Sequence, residues 1–186
     1  MTAAVFYATR EGHTRKIAER IAADLRGRGA TVDVFDVRVS GTADWTKYSV
    51  ACLAASVHLG HHEREMIAFA MEHRDALTRI GAAFVSVTLS EAGAEDPRKT
   101  PRERQASAAD AQRMIDVFVE ETGWHPEHAM PVAGALAYSK YNILVRFLMK
   151  RIARKAGAPT DTSRDYEFTD WLALDRFVED LAERST

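Results

Sequence analysis

Near its amino end the chain carries a short apolar run, Ala3-Ala4-Val5-Phe6-Tyr7-Ala8. It gives way at once to the polar turn Thr9-Arg10-Glu11-Gly12-His13-Thr14 and then to a helical pattern from Arg15. A short apolar run bounded by turn residues is the pattern of an inner strand of a parallel sheet, buried on both faces. Behind the turn, Ile17, Ile21 and Leu25, with Ala18 and Ala22, recur at helical spacing and make one apolar face. A strand that feeds a helix through a tight turn aims backbone N–H groups and the positive end of the helix dipole into that turn. A phosphate is the natural occupant. Thr9 and Thr14 add hydroxyl groups, and Gly12 lets the backbone come close with no Cβ in the way.

The turn has neither Gly-x-Gly-x-x-Gly nor Gly-x-x-x-x-Gly-Lys-Ser/Thr, so neither the dinucleotide fingerprint nor the P-loop is present. What remains is Thr-x-x-Gly-x-Thr. It resembles the loop that holds the single phosphate of FMN in flavodoxins, and it equally fits an ordinary βα turn with a helix cap. The rest of the chain has to separate the two.

At 186 residues the chain is expected to form a single domain with a substantial core. Its 25 Lys and Arg against 27 Asp and Glu give no bulk charge to attract nucleic acid, and no nucleic-acid partner is expected. The sequence starts directly on a strand, without a cationic apolar leader, and holds no apolar run long enough to span a bilayer. The expectation is a cytoplasmic protein. Cys52, the one cysteine, excludes an internal disulfide and reads as a small buried hydrophobe in an inner strand.

Gly27 and Gly29 end the first helix, and Thr31–Asp36 alternates apolar and polar as an edge strand does. Trp45 and Tyr48 lead into a third strand, Ser49–Ala54, which runs into Ala55-Ser56-Val57-His58-Leu59-Gly60-His61-His62. A helix is predicted from about Glu63 to Leu77, then a fourth strand, Ala82–Val87. This strand empties into a long polar segment, Thr88 to Gln105, and loops of that length in compact domains are usually functional. A further helix spans roughly Ser107 to Glu121, and Met130–Ala133 starts a fifth strand.

Strands and helices alternating in this way imply an α/β fold, a doubly wound parallel sheet with helices on both faces. Ligands of such sheets sit beyond the carboxyl ends of the strands, where strand order reverses. Three loops are expected to meet there: Thr9 to Thr14, Ala55 to Gly60, and Ser86-Val87-Thr88-Leu89. Each follows a predicted strand, and each supplies small or hydroxyl residues that let the backbone approach a flat ligand. Their agreement favours FMN over an empty turn.

The region after the fifth strand is different in kind. From Ala129 to Thr160 there is no Asp or Glu, while Lys140, Arg146, Lys150, Arg151, Arg154 and Lys155 all fall there. Read as a helix from Tyr141, the positions Tyr141, Leu144, Val145, Leu148, Met149 and Ile152 form an apolar stripe, with Arg146, Lys150 and Arg154 away from it. About sixteen residues at ~1.5 Å each reach only about 24 Å, so this helix does not span a bilayer. It is suited either to lie on an anionic leaflet or to cover the sheet with a solvated basic face. Gly157 and Pro159 end it, Tyr166-Glu167-Phe168 is placed to resume the fifth strand, and Asp170 caps a last helix through Leu174, Phe177, Val178 and Leu181.

Taken together, several stretches resemble one family, the menaquinone-dependent protoporphyrinogen IX dehydrogenases, which are membrane-associated relatives of the long-chain flavodoxins. They are Tyr7–Thr14, Ala55–His62, Phe84–Leu89, Arg98-Lys99-Thr100-Pro101, Val132–Tyr138, Thr160-Asp161-Thr162 and Phe168-Thr169-Asp170-Trp171. The resemblance implies a flavodoxin-like five-stranded sheet of order 2-1-3-4-5, with an insert at about 134–164 interrupting the fifth strand. It implies FMN as cofactor, wrapped at its phosphate by Thr9, Arg10, Glu11, Gly12, His13 and Thr14. Ala55, Ser56, Val57, His58, Leu59 and Gly60 would lie along one edge of the flavin ring, and Ser86, Val87, Thr88 and Leu89 along the other. It further implies oxidation of protoporphyrinogen IX, with electrons passed to menaquinone or ubiquinone at the inner membrane, and an anionic membrane surface as partner. Arg98 and Lys99, or the basic helix, would meet the porphyrinogen propionates.

The family usually has Arg-Tyr where this chain has His58-Leu59. Its loop after the fourth strand is usually basic, whereas here Glu91, Glu95 and Asp96 precede Arg98 and Lys99. A soluble flavodoxin-like electron carrier or quinone reductase is the competing reading. No residue stands out as acid or base; His58, His61 and His62 are the candidates, and no matched ligand set points to a metal. Trp45 and Trp171 read as packing residues, and Trp124 as either packing or cofactor contact.

Overall fold

Apolar runs with no polar face to turn to water have to lie inside a sheet that is covered on both sides. A computed structural model, which describes residues 1–40, 43–142, 147 and 160–184, shows this arrangement. The strands are β1 (Thr2–Ala8), β2 (Thr31–Asp36), β3 (Val50–His58), β4 (His61–His62), β5 (Ala83–Thr88) and β6 (His128–Ala133). Five of them run parallel in the order β2-β1-β3-β5-β6, and β4 folds back antiparallel on the end of β3. This is the doubly wound order expected from the sequence. β2 lies at the edge, with Thr31 and Asp33 exposed and Val32 buried between them, as its alternation requires.

The period-two geometry of β1 divides its side chains between two cores. Ala3, Val5 and Tyr7 face α1 (His13–Gly27) and the C-terminal helix, through Ile17, Ile21, Leu25, Leu174 and Val178. Ala4, Phe6 and Ala8 face the opposite layer. That layer is built from α2 (Arg64–Glu72), α3 (Arg74–Arg79) and α5 (Pro101–Thr122), which follows the short α4 (Leu89–Glu95). The C-terminal helix is α6 (Trp171–Arg184), and Asp170 caps it by accepting from the Ala173 amide at 3.0 Å. In the second core Phe84 of β5 stacks on Phe118 of α5 with ring centroids 4.1 Å apart, and Trp124 meets both rings edge-on. Trp124 is thus a packing residue. So are Trp45, set against Phe6 and Phe69, and Trp171, which lies under the Lys16 ammonium. Cys52 is sealed inside β3, and burial pushes its thiol up to about 12, which leaves it unreactive.

Several expected boundaries move. The predicted helix over 63–77 breaks at His73, whose Nδ1 accepts from the Trp45 indole N–H. The long polar segment 88–105 is largely helical. Thr88 caps α4 by accepting from the Ser90 amide, and α5 starts at Pro101, six residues before the predicted Ser107. A capping box opens α5: Thr100 accepts from the Glu103 amide while the Glu103 carboxylate takes the Thr100 amide. The third strand runs on to His58, so Ala55–His58 is strand where the sequence predicts loop.

Tyr166-Glu167-Phe168 does not resume the fifth strand. β7 (Ala135–Leu136) pairs antiparallel with β8 (Tyr166–Glu167) as a separate two-stranded sheet. The Phe168 amide and the Thr169 hydroxyl bond back to the carbonyls of Gly134 and Ala133, so the two ends of the insert are tied to each other. Most of the predicted basic helix, with Leu144, Arg146, Lys150 and Arg154, lies outside the described residues, as do Gly157 and Pro159.

Candidate functional site

The chain crosses from one side of the sheet to the other between β1 and β3, and a cleft of about 490 Å³, its open mouth included, lies beyond the carboxyl ends of the strands. Thr9, Glu11, His13 and Thr14 line it from the turn after β1. Ser56, Val57 and His58 line it from the end of β3, and Val87, Thr88 and Leu89 from β5 and α4. The fourth wall, Gly134, Ala135, Ala137 and Tyr141, comes from the chain after β6.

The turn after β1 is held open by its own bonds. The Thr9 hydroxyl accepts from the Gly12 amide at 3.0 Å, and Gly12 itself sits at φ 92° as the residue preceding α1. The first amides of α1 have no intrahelical acceptor, and the first turn of α1 contains no acidic residue, so the positive end of the helix dipole faces the cleft. Thr14 Oγ1 is buried there without a hydrogen-bond partner among the described residues. Lys140 places its Nζ on the Glu11 carbonyl beside Gly12.

His13 is fixed by a chain of two bonds. Thr169 spends its hydroxyl proton on the Ala133 carbonyl, so His13 Nε2, 2.7 Å away, has to donate to the Thr169 oxygen. Burial holds this imidazole below its ordinary range, and the ring is neutral with its proton on Nε2.

On the other side, β3 and β4 form a hairpin whose two-residue turn is Leu59-Gly60, both left-handed (φ 52° and 86°). Leu59 is 87 % exposed. Beneath the hairpin the Glu63 carboxylate is almost sealed from water and gathers Arg10 Nε at 3.0 Å, the Ser56 hydroxyl at 3.3 Å and His58 Nε2 at 3.2 Å. His58 Nε2 is also 3.4 Å from Glu11. It is buried outside hydrogen-bond geometry with either carboxylate. Tyr141, at the cleft wall, is pushed up to about 12 by burial and by Glu11, and keeps its proton.

Ten of the sixteen residues named from the sequence therefore line one cleft. The other six do not, for physical reasons. Ala55 and Ser86 are paired opposite each other inside the sheet, and the Ser86 hydroxyl is taken by His62 Nε2 at 2.9 Å. Leu59 and Gly60 form the hairpin tip beside the cleft. Gly12 shapes the turn with its backbone. Arg10 is drawn away from the turn to the buried charge of Glu63, across 53 positions of sequence. His61 is exposed and held by Glu121 at 2.9 Å, while His62 is packed edge-on against Phe84 and Phe118. Gly134, Ala135, Ala137, Lys140 and Tyr141 are site residues that no local sequence motif marks. The available signal was topological, since the end of a fifth parallel strand emerges on the same side as the other three. Arg98 is fork-paired with Asp96 (2.9 and 2.8 Å), which drops that carboxyl to about 2.

The flavodoxin domain family matches residues 4–163. A protoporphyrinogen IX dehydrogenase (quinone) of Escherichia coli K12 is 30% identical over 182 residues, 98% of this chain and 95% of that protein. The protein of the same name from Leishmania major is 30% identical over 179 residues, 96% of this chain and 73% of its own length. Among solved structures, a flavodoxin from Streptococcus pneumoniae TIGR4 superposes with a TM-score of 0.51 at 17% identity, covering 99% of both chains. At that identity the likeness concerns the fold. The chain belongs to the flavodoxin-domain family, and its sequence relatives there include quinone-linked protoporphyrinogen IX dehydrogenases.

Proposed function

We propose that the protein is an FMN-dependent oxidoreductase that converts protoporphyrinogen IX to protoporphyrin IX and passes the electrons to a membrane quinone, menaquinone or ubiquinone. One observation carries the cofactor: the buried, unpartnered Thr14 hydroxyl points to an anion at the open end of α1, where the Gly12 turn leaves room for it. The substrate and acceptor rest on the relatives' names and on their coverage of nearly the whole chain.

In this reading Thr9, Gly12, His13 and Thr14 cradle the phosphate. Neutral His13 adds no charge to the turn and serves to lock it against Thr169. Lys140 supplies the cation that offsets the phosphate dianion. Ser56 to His58 and Val87 to Leu89, which line the cleft, would border the flavin on two sides, and Gly134 and Ala135 would leave room at the third. The flavin, when bound, supplies the redox chemistry, six electrons taken two at a time. The protein's part is to position the ring and shield it.

The membrane role rests on the acid-free, cation-rich stretch from 129 to 160. Each Lys or Arg near an anionic surface contributes about 1 kcal/mol, enough for peripheral binding. No helix among the described residues is long and apolar enough to cross a bilayer.

The test is spectroscopic. Purified protein titrated with FMN should show a bound-flavin spectrum that bleaches anaerobically with protoporphyrinogen IX and recovers on adding a menaquinone analogue. A protein that takes up FMN and is never bleached by the porphyrinogen would be an electron carrier instead. Deleting residues 143–155, which spares Tyr141 at the cleft wall, should abolish sedimentation with anionic liposomes and leave FMN uptake intact; unchanged sedimentation would remove the membrane role.

A further inference from the structure

A second opening lies against the outer side of the β3–β4 hairpin and encloses about 810 Å³ including its mouth. His58 lines both this opening and the cofactor cleft. Its chemistry differs from that of the cleft. Arg10 and Arg64 stand at its wall with Leu59 and Ile67 beside them. Arg10 gives one edge of its guanidinium to Glu63, and its side chain is still 57% exposed. Arg64 is exposed and has no carboxylate partner among the described residues. The one acid lining the opening, Glu121, is engaged by His61, and His62 behind it is buried and neutral. The opening therefore offers two guanidinium forks next to aliphatic surface.

We propose that this opening holds the carboxylate-bearing edge of the tetrapyrrole substrate. The proposal rests on the functional reading above and adds the place where the substrate is anchored. Arginine forks suit carboxylates, and carboxylates on an otherwise hydrocarbon ring are what such a mixed wall recognises. Anchored at Arg10 and Arg64, the body of the ring lies over Leu59, one residue from His58 and the cofactor cleft. Leu59 is an apolar side chain in full solvent at a backbone conformation that costs it energy, and contact with an apolar ring gives that exposure a use. Arg98, the anchor suggested by the sequence, already has its fork filled by Asp96.

The test uses the full-length, FMN-loaded protein and two air-stable probes, protoporphyrin IX and its dimethyl ester, followed by porphyrin fluorescence. Wild type should bind the diacid more tightly than the ester. Arg64→Gln should weaken the diacid about tenfold, the loss of one charge-assisted fork, and leave the ester within twofold. FMN affinity should not change, which also shows that the variant is folded. If Arg64→Gln leaves diacid binding unchanged, or weakens diacid and ester equally, the anchor is elsewhere and the proposed function stands without it. If the FMN-loaded wild type binds neither probe, the porphyrin substrate falls together with its anchor.

Discussion

Valine at position 12 is expected to abolish flavin uptake, raising the apparent Kd for FMN by about 100-fold or more. Gly12 holds φ 92°, a conformation that costs an L-residue about 1–2 kcal/mol and a β-branched one more. A Cβ there would stand 3.2 Å from Lys140 Nζ, so the side chain also pushes away the cation beside the turn. The Gly12 amide is the donor that Thr9 accepts, and any adjustment of the turn breaks that bond as well. Together these effects amount to a few kcal/mol at the phosphate position, and each 1.4 kcal/mol is tenfold in affinity. Gly29→Ala is the control: it is equally left-handed at φ 87°, but a Cβ there meets nothing within 4 Å. It should lose about 1 kcal/mol of stability and bind FMN normally. A flavin-fluorescence titration that finds Gly12→Val within threefold of wild type would show that the turn does not hold the phosphate.

The second large effect is acid lability through His62. Burial holds this imidazole down at about 3, with a smaller push from His61, whereas the unfolded chain titrates at the ordinary 6.5. Between these values the unfolded state binds a proton that the folded state refuses, so stability falls as pH drops below 6.5. The loss is roughly 2 kcal/mol by pH 5 and approaches about 5 kcal/mol near pH 3, a large part of the stability of a domain this size. The cause is the setting of the ring: Nε2 is bonded to Ser86, Nδ1 has no partner among the described residues, and the stacked pair Phe84 and Phe118 packs edge-on against it. His62→Phe keeps the aromatic contact and removes the titration. Denaturation midpoints measured from pH 7.5 to 4.5 should then slope much less for the variant, and equal slopes would assign the acid lability to other groups.

What could be read from the sequence was what short stretches decide for themselves. The inner strand, the phosphate turn, the amphipathic face of α1 and the alternation of the edge strand depend on neighbours within a few residues. What escaped depends on distant partners or on residues used against their habit. Nothing near Arg10 announces that Glu63 will take its charge, because the attraction exists only once β3 and the start of α2 stand beside β1. The β3–β4 hairpin was hidden because its turn begins with leucine, where asparagine or aspartate would have signalled left-handed backbone. The start of α5 was there to be seen in Thr100-Pro101-x-Glu103, a capping box with proline at the first helical position, but it sat within a polar run that read as loop. The pairing of β7 with β8 joins residues some thirty positions apart across the insert, beyond the reach of local pattern.

The left-handed leucine has a consequence for anyone who sets out to toughen this protein. Leu59→Gly or Leu59→Asn would relieve the turn, and a heat-challenge selection would favour either change for a gain of about 1 kcal/mol. The same change would strip the greasy tip from the hairpin and blunt its grip on a flat hydrocarbon guest. At this one position, greater heat resistance in a mutant library should be taken as a warning that turnover has been lost.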